Sequence, residues 1–190
     1  FVYVEEVPPP GTAPALDEWL ELAEQKGALA DDVNVYEGEA SLREARRVRH
    51  AVPATMNERG SARRIHGGRK VSTDWAVPYE RLGEMLAKAR TLADVAGIEQ
   101  AVTYGHAGNG HPHQNFIAHD ADELRRIEAV VEQTLREVIS MGGTVAAEHG
   151  IGKIKRKWLP LQMTPLQVRT MQAVKRELDP AGILAPGNVL

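Results

Sequence analysis

The rest of the chain is organised around the segment Tyr104–Phe116, YGHAGNGHPHQNF, which holds three of the chain's seven histidines. Gln100–Tyr104 has the composition of a strand, and His113–Ala118 has that of its returning partner. Glycines in the connection would permit positive φ and let backbone approach a ligand. These glycines are Gly105, Gly108 and Gly110. The sequence therefore predicts a hairpin on which the side chains of His106 and His113 converge.

Segments before the hairpin alternate between strand and helix patterns. Alternating apolar residues predict strands, whereas apolar residues three and four positions apart predict helices. The predicted strands are Phe1–Glu6, Val33–Tyr36 and Lys70–Val77. The predicted helices are Asp17–Lys26, Ala40–Ala51 and Tyr79–Ala96. Pro53–Arg69 has no clear period and is predicted to be a loop with helical fragments.

After the hairpin the chain is predicted to be mainly helical. Ala121–Met141 carries an apolar stripe along one face and ends at Gly142-Gly143. A last amphipathic helix starts at Thr164-Pro165 and ends at Asp179-Pro180. Strands and helices mix without a strict βαβ rhythm, and the turns favour antiparallel pairing. The predicted fold class is therefore α+β, an antiparallel sheet with helices packed on one face.

Length and composition predict one globular domain and argue against several partners. A chain of 190 residues can bury a sizeable core. The net charge of −3 gives no reason to expect nucleic acid or an anionic membrane as a partner. The sequence contains no apolar run long enough for a transmembrane segment. Cysteine is absent, which fits a reducing compartment and excludes thiolate metal ligands.

The histidines of the hairpin and a downstream pair, Glu148-His149, provide two or three imidazoles and a carboxylate. These groups are typical ligands of a Zn²⁺ or Mn²⁺ site with an open coordination position. The alternative is a histidine-rich surface hairpin that binds no metal. That alternative does not explain Glu148-His149, which small residues flank where a core would need bulk.

Three further residues are candidates for contacts with a substrate. Asn115 alternates with His113 along one strand, so both side chains should face the same side of the sheet. Arg49 ends a helix before Pro53, and Lys70 opens a strand. Considered as isolated charges, Arg49 and Lys70 have the pattern of surface residues.

The motifs together resemble a known family. YGHAGNGHPHQNF resembles the Gly-His-x-Gly-Asp-Gly-Asn-x-His-x-Asn signature of the FAD-linked oxidase C-terminal domain. That domain is the substrate-side cap of flavoenzymes that oxidise D-2-hydroxy acids such as D-lactate, glycolate and D-2-hydroxyglutarate. GGT at 142–144 with EHGIGK at 148–153, and LDPAGILAPG at 178–187, are similar to two further motifs of the family. Arg49–Pro53 and Lys70–Asp74 also fit the family's order, so the resemblance covers essentially the whole chain.

The resemblance implies a fold, a set of site residues and a cofactor. The fold would be a ferredoxin-like cap domain, and FAD would accept a hydride from the substrate. His149 would be the catalytic base. The implied metal ligands, for Zn²⁺ or Mn²⁺, are His106, His113 and Glu148. The implied substrate-binding residues are Arg49, Lys70 and Asn115.

Three positions depart from the family's pattern. Asn109 stands where the family has Asp, and His111 stands where it has Asn. His111 either competes as a metal ligand or stabilises the turn, and the sequence leaves both open. Ala185 replaces an Asn near the flavin, which weakens the case for a flavin contact from the tail.

The chain is predicted to be the cap domain alone, over residues 1–190, without the N-terminal domain that binds most of the FAD. Separated from that domain, it should bind FAD poorly and should not turn over substrate. The predicted partners are a small 2-hydroxy acid and the FAD-binding domain of the same enzyme, with a homodimer left open. The predicted location is the cytoplasm or the periphery of the inner membrane.

Two other classes of function stay open at this point. In a metal-dependent hydrolase, the ion would activate water, and His149 or Glu148 would act as the base. In a non-catalytic regulatory or oligomerisation module, the histidines would neither bind metal nor respond to substrate.

Overall fold

The computed structural model describes residues 2–28, 33–99 and 101–189. The helices within these ranges are α1 (Leu16–Gln25), α2 (Gly38–Ser61), α3 (Leu82–Val95), α4 (Ala121–Ser140) and α5 (Pro165–Leu178). The strands are β1 (Gly67–Ser72), β2 (Val102–His106) and β3 (His111–Asp120). Contacts divide the chain into two compact units, Phe1–His50 and Ala51–Leu190, and the sheet belongs to the second unit.

The sheet has β3 at its centre, with β1 paired to one edge and β2 to the other, both antiparallel. Tyr104 lies opposite His113, and His106 lies opposite His111. Directly opposed residues of an antiparallel pair share one face of the sheet. The predicted hairpin is therefore confirmed, and it gathers these four side chains on one face.

The other face of the sheet carries the hydrophobic core. Phe116 and Ala118 of β3 belong to this core together with Val71 of β1, and α3 and α4 pack on it. The apolar stripe predicted for α4 is buried, as expected for a helix that covers a sheet. The α+β class, with helices packed on one face of an antiparallel sheet, is confirmed.

Most predicted helices are confirmed with small shifts at their ends. Asp17–Lys26 corresponds to α1, and Tyr79–Ala96 corresponds to a 3₁₀ turn followed by α3. α5 begins at the predicted position, where the Thr164 hydroxyl accepts a hydrogen bond from the Gln167 N–H in a capping box. Within the described ranges, no helix combines the length and apolarity that crossing a membrane requires.

Two predicted strands, Phe1–Glu6 and Val33–Tyr36, are wrong. The described residues of both segments form no strand, and Phe1 lies outside the described residues. Alternation arranges the side chains of one segment, but a strand is stable only when a neighbouring strand pairs with its backbone. Val2 and Val35 accordingly remain exposed.

The loop predicted at Pro53–Arg69 is also wrong, because α2 continues through Pro53 as far as Ser61. A proline inside a helix removes one backbone hydrogen bond. Packing offsets this loss: Met56 and Gly60 lie about one turn apart and are both buried. A Cβ atom on Gly60 would lie 2.4 Å from the Cβ of Lys70, so glycine is what lets α2 pack closely on β1.

Candidate metal centre and active site

The hairpin places three histidines side by side on the face of the sheet opposite the core. The ring centroids of His106 and His111 lie 5.6 Å apart, and those of His111 and His113 lie 4.4 Å apart. His111 and His113 are buried, whereas His106 is partly exposed. Gln100, the predicted first residue of the hairpin, lies outside the described residues.

The turn between β2 and β3 depends on Gly110. This residue has a φ of 62°, and a Cβ atom there would lie 2.0 Å from the carbonyl oxygen of Val77. The Val77 N–H in turn donates to the Gly110 carbonyl at 3.1 Å. Gly105 and Gly108 do not adopt the positive φ that the sequence predicts for them. Gly105 is instead a residue of β2.

The segment that follows β1 fixes the loop that carries Glu148. Ala76 and Thr144 exchange two backbone hydrogen bonds, of 3.2 and 2.9 Å. The Ala147 N–H donates to the carbonyl oxygen of Asp74 at 2.8 Å. The predicted strand Lys70–Val77 therefore leaves the sheet after Ser72, and its last residues pair with the Glu148 loop instead.

Glu148 brings a carboxylate oxygen to the three histidines. Its Oε2 lies 3.6 Å from Nε2 of His106, 3.6 Å from Nε2 of His113 and 3.8 Å from Nδ1 of His111. One ligand atom from each of the four side chains lies within 4.8 Å of all the others. Ligand atoms about 2.1 Å from one ion are at most about 4.2 Å apart, so a small closure would bring all four to an ion.

A hydrogen bond determines which nitrogen of His113 is free. The Nδ1 atom lies 3.3 Å from the carbonyl oxygen of Thr73, which can only accept, so Nδ1 carries the hydrogen. The Nε2 lone pair is therefore free toward Glu148. Burial lowers the pKa of His113, and the nearby imidazoles of His111 and His149 lower it further. The neutral ring, which is the form that binds metals, is favoured.

Asp74 is a buried carboxylate that contacts both His111 of the hairpin and the loop that carries Glu148 and His149. Its Oδ1 lies 2.9 Å from Nε2 of His111 and accepts the Glu148 N–H at 3.3 Å. Its Oδ2 accepts the His149 N–H at 3.0 Å and a hydrogen bond from the Lys155 ammonium. Burial raises the pKa of Asp74, but hydrogen bonds from Lys155 and His149 outweigh it, so the pKa lies below its ordinary value.

His149, the predicted base, lies beside the cluster with an accessible side chain. About two thirds of the side chain is exposed, at 65%. Its Nε2 lies 3.9 Å from Oε2 of Glu148, and its ring centroid lies 5.3 Å from that of His113. His149 also lines a cleft of about 380 Å³ together with Lys70 and Lys155. A small molecule in this cleft would lie beside both His149 and Lys70.

Two predicted substrate contacts, Lys70 and Asn115, lie in the same unit as the cluster. Lys70 is partly buried, its Nζ donates to Oδ1 of Asn57 at 2.9 Å, and burial lowers the pKa of Lys70. Asn115 shares a strand face with His113 and donates to the His113 carbonyl at 2.9 Å. The Asn115 Oδ1 is buried and has no hydrogen-bond partner within the described part of the chain. Arg49 lies on α2 in the first unit, so its contact with substrate stays a prediction.

Asp74 and Lys155 lie at the site, although no sequence pattern predicted a role for them there. Asp74 lies between Thr73 and Trp75, in a segment whose other residues have the pattern of a buried strand. Its carboxylate is nevertheless buried too, with 2% exposure. An acidic residue at such a position must be paired inside the protein, and this was the available signal. Lys155 gives no comparable signal, because its partner lies 81 positions earlier in the chain.

Comparison with known proteins identifies a family. The family model for FAD linked oxidases, C-terminal domain, matches residues 11–189. A probable mitochondrial D-lactate dehydrogenase from Danio rerio is 36% identical over 129 residues, which is 65% of this chain and 25% of the relative. D-lactate dehydrogenase from Archaeoglobus fulgidus is 36% identical over 117 residues, 62% of this chain and 26% of the relative. Glycolate oxidase subunit GlcD from Bacillus subtilis is 31% identical over 118 residues, 61% and 25% respectively.

Proposed function

Because the chain belongs to the family of FAD-linked oxidases, C-terminal domain, we propose that it binds metal and substrate in a flavin-dependent oxidoreductase. The reaction would convert a D-2-hydroxy acid to a 2-oxo acid. The observation that carries the proposal is the convergence of His106, His113 and Glu148 beside His149. The names of the relatives, D-lactate dehydrogenase and glycolate oxidase, support this substrate class.

The donor atoms fit a divalent ion. His106 and His113 each turn an imidazole nitrogen toward the Glu148 carboxylate, and Zn²⁺ and Mn²⁺ both accept this mixture of ligands. A bound ion would supply positive charge that attracts the carboxylate and hydroxyl oxygens of the substrate and lowers the pKa of the hydroxyl. Glu148 is half-exposed, so the site stays accessible to a small acid.

His149 would take the hydroxyl proton of the substrate at its imidazole, a group suited to proton transfer near neutral pH. Loss of that proton and of the C2 hydrogen as a hydride turns the C–O single bond into a carbonyl. FAD, when bound to the whole protein, would accept the hydride and its two electrons. The products are then a 2-oxo acid, a proton on His149 and the reduced cofactor, so atoms and electrons balance.

The remaining site residues would hold the substrate. Lys70 lies in the cleft that His149 also lines, and its ammonium would neutralise the substrate carboxylate. Arg49 would add a two-pronged contact to the same group. Asn115 would bind the substrate through its amide, whose oxygen has no partner in the described part of the protein.

The whole enzyme extends beyond this chain in the proposal, since the chain spans about a quarter of the length of the curated relatives it matches. Residues 1–190 would act as one cap domain, and the FAD-binding domain would be its partner. The proposed location is the cytoplasm or the periphery of the inner membrane, and the oligomeric state stays open. The name of the Danio rerio relative places that relative in the mitochondrion.

The test is His149→Ala in the full-length protein, with flavin reduction by D-lactate or glycolate followed anaerobically by absorbance. Removing the base should slow reduction by roughly hundredfold or more, because general base catalysis contributes about that much. Metal content should be unchanged. His119→Ala is the control, since His119 is an exposed histidine near the end of β3 that pairs with Glu123. Reduction of His149→Ala at the wild-type rate would contradict the proposed role.

A further inference from the structure

We propose that His111 is a fourth protein ligand, so that three imidazoles and one carboxylate hold the ion. This inference rests on the proposed function, since it concerns the same metal centre. It goes beyond the ligand set of two histidines and one glutamate that the family resemblance implies. It also assigns a function to a residue at which this chain departs from the family's pattern.

The orientation of the His111 ring carries the inference. Its Nε2 lies 2.9 Å from Oδ1 of Asp74, a paired carboxylate that accepts the ring hydrogen. The opposite nitrogen, Nδ1, therefore keeps a free lone pair, and it lies 3.8 Å from Oε2 of Glu148. The His111 side chain is 6% exposed, so water does not easily satisfy that lone pair. A ligand imidazole in proteins almost always donates its other N–H to such a carboxylate or carbonyl.

The alternative, that His111 serves only to stabilise the turn, is less consistent with these contacts. Backbone hydrogen bonds already close the turn, with the Gly110 N–H donating to the Ala107 carbonyl at 3.0 Å. The Val77 N–H also donates a hydrogen bond to the Gly110 carbonyl. The ring of His111 instead joins Asp74 to the position where His106, His113 and Glu148 converge.

Asp74 acts as a positioning residue rather than as a ligand. Its two oxygens already accept hydrogen bonds from His111, His149, Glu148 and Lys155, so no oxygen is free for an ion. The same carboxylate oxygen, Oδ1, therefore holds both the His111 ring and the Glu148 backbone.

Four protein ligands have a consequence for the ion. A tetrahedral ion with four protein ligands has no position left for substrate, which is the arrangement of structural zinc sites. A 2-hydroxy acid that binds through carboxylate and hydroxyl needs two positions. An ion held by all four side chains would have to accept more than four ligands to bind the substrate as well, which Mn²⁺ and Co²⁺ would do more readily than a tetrahedral Zn²⁺.

The experiment titrates the full-length protein with Co²⁺ and with Mn²⁺ by calorimetry, and it records the absorption spectrum of bound Co²⁺. His111→Asn inserts the residue that the family has at this position. It should weaken Co²⁺ binding by about tenfold or more and change the spectrum, because one nitrogen ligand is lost. Asp74→Asn should weaken binding by roughly 10- to 100-fold, as expected for loss of a ligand-orienting group. His119→Asn, a surface control on the same strand, should match the wild type.

A second measurement uses the unmodified protein and does not depend on how the variants fold. Pulsed electron paramagnetic resonance of the Mn²⁺-loaded wild type counts coordinated imidazole nitrogens, and three are expected. Two coordinated imidazoles, or His111→Asn with wild-type affinity and spectrum, would overturn the role of His111. If His106→Ala still loses the ion in that case, the metal centre of the proposed function is supported and only the role of His111 is rejected. A wild-type protein that binds neither ion would overturn the metal centre of the proposed function and this inference together.

Discussion

The two faces of β3 differ in the contacts that stabilise their buried side chains. Phe116 and Ala118 on one face are surrounded by the apolar side chains of the core, and packing alone stabilises them. His111, His113 and Asn115 on the other face are buried as deeply, but they are polar. Buried polar atoms cost free energy unless each finds a partner. The protein satisfies some of these polar atoms, and the remaining ring nitrogens of His111 and His113 lie near the Glu148 carboxylate of the candidate metal centre.

Damage to the core face of β3 should reduce the free energy of unfolding most. Phe116→Ala should lower the free energy of unfolding by about 3–5 kcal/mol, because a side chain only 1% exposed would leave a cavity. Urea denaturation monitored by circular dichroism measures this change. Phe116→Leu, which keeps most of the volume, should cost clearly less. An equal loss in both variants would mean that the core face is not closely packed around this ring.

Damage to the site face should reduce ion affinity but leave stability almost unchanged. Glu148→Ala should weaken ion binding by about hundredfold, because the ion would lose its carboxylate ligand and the binding free energy which that ligand contributes. The free energy of unfolding without metal should change by no more than about 0.5 kcal/mol, because the side chain is half-exposed. Metal titration and urea denaturation on the same sample separate the two effects. A large loss of stability without metal would show that Glu148 is part of the scaffold.

Loss of an ion pair at the surface should reduce stability less than damage to the core face, and the reduction should depend on pH. Glu128 of α4 accepts hydrogen bonds from Arg69, at 2.8 Å, and from Lys157. Burial raises the pKa of Glu128, but Lys157 and Arg69 outweigh it, so its pKa in the folded protein is lowered. A lowered carboxyl pKa stabilises the fold above the ordinary glutamate value, and that contribution is lost as the pH falls through the folded-state pKa.

Glu128→Gln should therefore reduce the free energy of unfolding by about 1 kcal/mol or less at pH 7. The difference from the wild type should disappear in acid, well below the ordinary pKa of about 4.3. Thermal unfolding at several pH values tests this dependence. Glu132→Gln, which removes an exposed pair with Arg136, should have a smaller effect. A difference that persists in acid would mean that packing of the side chain matters more than its charge.

The parts of the fold that sequence predicted correctly depend on local patterns. The alternation from His113 to Asn115 predicted a shared face, and the glycines near His106 predicted the turn of the hairpin. The apolar stripe of Ala121–Met141 and the cap at Thr164 predicted two helices within one residue of their ends. These signals need only neighbours within a few positions of the chain.

The parts that sequence reasoning missed depend on distant contacts. α2 continues past Pro53 because Met56 and Gly60 pack inside the second unit, which no local period reveals. Asp74 is held by His111, 37 positions away, and by Lys155, 81 positions away. A buried carboxylate can be suspected from sequence, but its partners become evident only when the chain is folded.

The histidines of the hairpin are proposed to form a metal centre with Glu148. The most direct test is metal analysis of the full-length protein beside its His106→Ala/His113→Ala double variant. We expect about one divalent ion per chain in the wild type. We expect that ion to be lost in a double variant that keeps the wild-type circular dichroism spectrum. Equal metal content in both proteins, or no metal in the wild type even after loading with Mn²⁺, would contradict the proposed metal centre.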